Sequence, residues 1–77
     1  MDLDKLELED IKALGLDPEA FTKEQRQLIL EPSWAPENYY CDGEITAEEA
    51  DRSYRRRLRA SGLSEGQTLL IISRVLG

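Results

Sequence analysis

The sequence predicts an all-α fold, a small bundle of three to four helices with a C-terminal α-hairpin, and three observations carry the prediction. Thr22 to Gln25, Thr46 to Glu49 and Ser64 to Gln67 each have the Ser/Thr-x-x-Glu/Gln spacing of a capping box. Apolar residues recur behind each box at helical spacing, with glycine or proline at the far end. The length of 77 residues leaves room for a single domain, residues 1–77, because a second core would be too small to sustain itself.

The first helix is predicted over residues 4–14. Leu3, Leu6, Leu8, Ile11 and Leu14 fall on one broad side at 100° per residue, and Gly15 follows as a C-terminal cap. The alternation from Leu6 to Glu9 also fits a short strand. The second helix is predicted over 18–30. Asp17-Pro18-Glu19 offers a side-chain acceptor, a proline at the first helical position and an acid at the positive end of the dipole, with a second start at Thr22. Its apolar face is Phe21, Leu28 and Ile29, and Pro32 disfavours continuation past Glu31.

Residues 31–45 are predicted to form an irregular loop, with two prolines, Asp42-Gly43 and the aromatics Trp34, Tyr39 and Tyr40. Such a loop either plugs one end of the bundle with its rings or offers them to a partner, since Trp and Tyr dominate binding hot spots. The third long helix is predicted over 47–60, with Ala47, Ala50, Tyr54, Leu58 and Ser61 as its core stripe. Glu48 with Arg52 and Asp51 with Arg55 have the i,i+4 spacing of helix ion pairs. Gly62 ends that helix, and Ser64 opens the last, 65–76, whose aliphatic run leaves Leu70 off the apolar face. Residues 66–72 also fit a buried strand, but the serine box and the short distance from Gly62 favour the hairpin.

Composition narrows the function classes. The absence of histidine removes the commonest proton shuttle and the commonest nitrogen ligand, and Cys41 is the only cysteine. No metal site and no cofactor are expected, and no nucleophile stands beside a base, so the chain reads as a non-enzyme. A lone cysteine also rules out an internal disulfide and points to a cytoplasmic, reducing location. The first residues lack the pattern of a signal peptide, and no apolar run approaches the ~20 residues that span a bilayer, so no membrane association is expected.

The net charge of −6 is unevenly spread. Residues 1–51 hold 15 acids and 4 bases, whereas 52–77 hold Glu65 against six arginines. Folding the two parts together would neutralise some of this field, and each part could also recognise a partner of opposite sign.

Three constellations bear on function. Residues 38–49 resemble the calcium loop of the EF-hand family in their second half, with Asp42 at the fifth place, Gly43 at the turn, Ile45 at the eighth and Glu49 at the twelfth. Asn38 and Tyr40 depart from the pattern in the first half, and an Asp-Gly turn feeding a Thr-capped helix explains the same letters without metal. Residues 58–71 resemble the middle of a helix-turn-helix motif. Gly62 stands in the turn, Leu63 after it, Ser64 opens the second helix, and Gln67, Thr68 and Arg74 are the polar candidates for reading bases. Finally, Arg52, Arg56 and Arg59 share one side of their helix, with Arg55 beside them, and suit carboxylates or phosphates.

The resulting expectation is a small module for protein–protein interaction, an adaptor, regulator or inhibitor of a larger protein. Its expected partner-binding residues are Trp34, Tyr39, Tyr40, Arg52, Arg55, Arg56 and Arg59. A homodimer through helix 65–76 is a variant of this reading. Nucleic-acid binding through helices 47–60 and 65–76 is the alternative.

Overall fold

Four side chains start four of the helical segments of this protein. Asp17 Oδ1 accepts from the Glu19 N–H at 3.0 Å, and the hydroxyls of Thr22, Thr46 and Ser64 accept from the N–H groups of Gln25, Glu49 and Gln67 at 3.1, 3.2 and 3.2 Å. Each occupies one of the first-turn donors that a helix leaves unpaired. At Thr22 and Ser64 the glutamine three residues on reaches back to the cap's own N–H, completing the box. In the computed structural model, which describes residues 3–40 and 45–77 with the side chain of Leu3 excepted, the elements are α1 (Leu3–Ala13), a 3-10 turn (Pro18–Ala20), α2 (Lys23–Trp34), α3 (Pro36–Tyr39), α4 (Ala47–Ala60) and α5 (Glu65–Val75). The described residues contain no strand, so both strand alternatives fall to helix.

Two predicted boundaries change. The segment 18–30 is not one helix. Phe21 is extended at φ −125°, ψ 151°, which separates the 3-10 turn from α2, and the Thr22 box sets the true start. Nor does α2 stop before Pro32. Proline removes only the bond from its own nitrogen to the Leu28 carbonyl, and in the last turn that loss is small enough for the helix to continue to Trp34. The stop is made by Pro36 instead, which holds Ala35 out of the helical region at φ −140°, ψ 66°. Part of the predicted loop 31–45 is therefore helical, in α2 and α3. Cys41, Asp42, Gly43 and Glu44 lie outside the described residues, and with them the Asp42-Gly43 centre of the calcium-loop resemblance; Glu49, its twelfth place, stands in the first turn of α4.

The apolar faces meet in one cluster. Ile11 of α1, Ile29 and Leu30 of α2, Tyr39 of α3, Ala50, Tyr54 and Leu58 of α4 and Ile71 of α5 are buried together with Leu16, Phe21 and Leu63 from the connections. The Cα radius of gyration is 12.0 Å, close to the ~11.5 Å of a compact chain of this length. Gly15 and Gly62 turn the chain after α1 and α4 at φ +78° and +97°, where any side chain would be strained. The α2 and α4 helices are further tied at one end, where the Gln25 amide donates to the Ser61 carbonyl at 2.9 Å.

Two polar residues share this interior. Glu7 is 2% exposed, and Arg26 holds it at 2.7 Å while donating to the carbonyls of Pro18 and Phe21 at 3.1 and 2.7 Å. One guanidinium thus joins α1, α2 and the 3-10 turn. Thr68 is fully buried, and its hydroxyl has no hydrogen-bond partner among the described residues. A buried, unpaired hydroxyl costs free energy that a methyl of similar size would not. Thr68→Val is therefore expected to stabilise the fold by about 1 kcal/mol, raising the melting temperature by roughly 4–8 °C. Thermal unfolding followed by circular dichroism measures this, and a lower melting temperature would mean that the hydroxyl is bonded.

Candidate functional site

The aromatic residues predicted to form one surface divide between core and exterior. Tyr39 is 3% exposed. Its ring packs edge-on against Tyr54 at 5.7 Å and Tyr40 at 4.8 Å, and its hydroxyl donates to Asp51 of α4. It seals the end of the bundle and is not available to a partner. Trp34 and Tyr40 remain partly exposed. The Trp34 indole N–H donates to Asp10 Oδ2 at 2.7 Å, which fixes the ring on α1. Trp34 also borders a groove of about 650 Å³ whose lining includes Asp4, Glu7, Glu24, Leu28 and Glu31. Much of that acidity is already engaged, Asp4 by Lys23, Glu7 by Arg26 and Glu31 by Arg57.

Burial pushes the phenols of Tyr39 and Tyr54 above the ordinary tyrosine range, reinforced by Asp51 at Tyr39 and by the charge of Glu31 at Tyr54. An unfolded chain ionises its tyrosines near pH ~10. Above that pH the folded chain keeps protons that the unfolded chain has released, so stability that is complete below about pH 10 falls as pH rises further. The expected slope is about 1.4 kcal/mol per pH unit for each such tyrosine. Followed together, tyrosinate absorbance and helical circular dichroism should show Tyr54 ionising only as the helices melt. Ionisation of all three tyrosines with helicity intact would contradict the burial.

The six C-terminal arginines also divide. Arg57 reaches Glu31 of α2 at 2.5 Å, and Arg59 forms a two-pronged pair with Glu65 of α5 at 2.6 Å on each arm. That fork holds the Glu65 carboxyl below its ordinary range and the Arg59 guanidinium above. Arg52, Arg55, Arg56 and Arg74 have no carboxylate within ion-pairing distance among the described residues. The helix pairs predicted from spacing do not close. Asp51 accepts from Tyr39 instead of meeting Arg55, and Glu48 does not pair with Arg52. The Arg55 Nε is buried without an acceptor among the described residues. Arg52 and Arg56 face solvent on the outer side of α4.

The α5 helix, which the sequence offered as a homodimer surface, carries two exposed apolar residues. Leu69 and Leu70 of α5 are 50% and 46% exposed. Leu70 was expected off the apolar face, but Leu69 was not. Glu65, Leu69 and Ile72 recur at i, i+4 and i+7 on one side of α5, and Arg59 touches Glu65, so that side borders the arginine face of α4. Of the predicted base-reading residues, Thr68 is buried and Gln67 is half-buried in the Ser64 box, which leaves Arg74 exposed. No helix among the described residues is long and apolar enough to cross a membrane, and no group of three metal-ligating side chains occurs among them. Comparison with protein-family models, curated proteins and solved structures finds no match.

Proposed function

We propose that this protein is a non-enzymatic module for protein–protein interaction, acting on a larger protein as an adaptor, regulator or inhibitor. The observation that supports it is the outer face of the α4–α5 hairpin. Three of the chain's seven arginines are matched by glutamates, Arg26 by Glu7, Arg57 by Glu31 and Arg59 by Glu65, while Arg52, Arg55 and Arg56 have no ion-pair partner among the described residues. Half-exposed Leu69 follows Glu65 by one turn on the side of α5 that Arg59 touches, and half-exposed Leu70 lies farther round that helix. Arginine is enriched at interface centres, where guanidinium supplies forked hydrogen bonds, and exposed leucine adds apolar area that association would remove from water. Trp34 and Tyr40 extend the exposed large side chains to a second face.

The test is affinity capture from nuclease-treated lysate with the wild type beside Arg52→Glu/Arg56→Glu. A protein retained in stoichiometric amount by the wild type and lost by the variant supports the reading. Retention of no protein, with nucleic acid bound once nuclease is omitted, overturns it in favour of the nucleic-acid alternative.

A further inference from the structure

We infer that the exposed face of α5 pairs with the same face of a second copy of this chain, the two helices running antiparallel about a two-fold axis that passes between Leu69 and Leu70.

The exposed residues of α5 are Glu65, Gly66, Leu69, Leu70, Ser73 and Arg74. The series is self-complementary when read from either end. Leucine meets leucine at the middle, a small residue lies outside each, and the outermost charges have opposite sign. An isologous contact demands this, because a two-fold axis sets residue i against residue j and j against i. At about 100° per residue, Gly66 and Ser73 share the centre line of the face and the leucines stand on either side of it. An antiparallel copy therefore brings Gly66 against the partner's Ser73, each leucine against its own counterpart beside the axis, and Glu65 level with the partner's Arg74. A parallel copy would set like charges level with each other, which opposes that orientation.

Gly66 supplies an independent observation. Its backbone is helical, and a Cβ built there meets nothing within 4 Å, so neither turn geometry nor packing within one chain asks for glycine. Glycine in a helix costs conformational entropy that alanine does not. Under a second helix it has a use, since the distance between two packed helices is set by the side chains at the contact and small ones let the axes approach. Pairing also withdraws Leu69 and Leu70, 50% and 46% exposed, from water. One helix of 11 residues offers a contact about 16 Å long, a small interface, so the dimer is expected to be weak and to form reversibly with concentration. The contact draws on no unpaired arginine of α4 and stands or falls apart from the interaction proposed above.

Sedimentation velocity over a series of rising protein concentrations tests the dimer, with the wild type beside Gly66→Leu and Leu69→Lys/Leu70→Lys. The wild type is expected to pass from monomer to dimer, and each variant to weaken the association about tenfold or more, by bulk on the centre line or by like charges at the axis. Helical circular dichroism should be unchanged in both, and Gly66→Leu should melt no lower than the wild type in dilute solution, because leucine is the better helix former. For the orientation, chains carrying Gly66→Cys are mixed with chains carrying Ser73→Cys, both in a Cys41→Ser background, and oxidised. The mixed disulfide should form in preference to either symmetric one. A wild type that stays monomeric throughout, a dimer indifferent to both α5 variants, or preferential linkage of Gly66→Cys to itself overturns the inference.

Discussion

Arg26→Ala is expected to lower the unfolding free energy by about 3–5 kcal/mol, the range found when one member of a buried ion pair is removed. The guanidinium lies at 2.7 Å from Glu7, whose side chain is 3% exposed, and it also serves the carbonyls of Pro18 and Phe21. Truncation strands a carboxylate in the interior and leaves two carbonyls short of a donor. Domains of this size hold only ~5–15 kcal/mol in total, so the variant should unfold at low urea or be partly unfolded without it. Replacing both partners with apolar residues of similar volume, Glu7→Leu with Arg26→Met, should recover most of the loss, since no buried charge then remains. Urea titration of the single and double variants checks both statements. A cost below about 1 kcal/mol for Arg26→Ala would be that of an exposed pair and would contradict the burial of Glu7.

Tyr54→Ala is the second large effect, about 3–5 kcal/mol by analogy with other buried aromatic truncations. Tyr54 is the largest fully buried side chain and stands where α4 meets α2. Its hydroxyl donates to the Ile29 carbonyl at 2.7 Å, and its ring supports Tyr39, which closes the end of the bundle. Alanine removes the ring, opens a cavity between the two helices and leaves Tyr39 without its edge contact. Tyr54→Phe separates the parts, because it keeps the ring and loses only the hydrogen bond, for an expected cost of about 1 kcal/mol. Comparable losses for Phe and Ala in denaturant titrations would show that the hydroxyl, not packing, dominates the site.

The local signals were legible because they act over three or four residues. The Thr22 and Ser64 boxes stand where their spacing put them, Thr46 caps its helix through its hydroxyl alone, and Ala50, Tyr54 and Leu58 face the core as periodicity required. Pro32 misled because a proline's effect depends on its distance from the helix end, and that end was set by Pro36. Glu7 shows a signal that was present but unused. It precedes Ile11 by four residues and Leu14 by seven, which places it on the buried side of α1, yet a carboxylate there makes sense only once Arg26 is seen to reach it.

The candidate surface divides the same way. Clustering of Arg52, Arg55, Arg56 and Arg59 on one side of α4 follows from helical spacing alone, but which of them are free does not. That outcome depended on Glu31 and Glu65 arriving from α2 and α5 to take Arg57 and Arg59, and on Tyr39 taking Asp51. The sequence by itself determined the all-α class, the starts of α4 and α5 and the arginine face, because capping and periodicity are properties of neighbours along the chain. The burial of Tyr39, the exposure of Leu69 and the pairing of each charge were decided only by the packing of helices against one another, since a side chain's surroundings there come from residues remote in sequence.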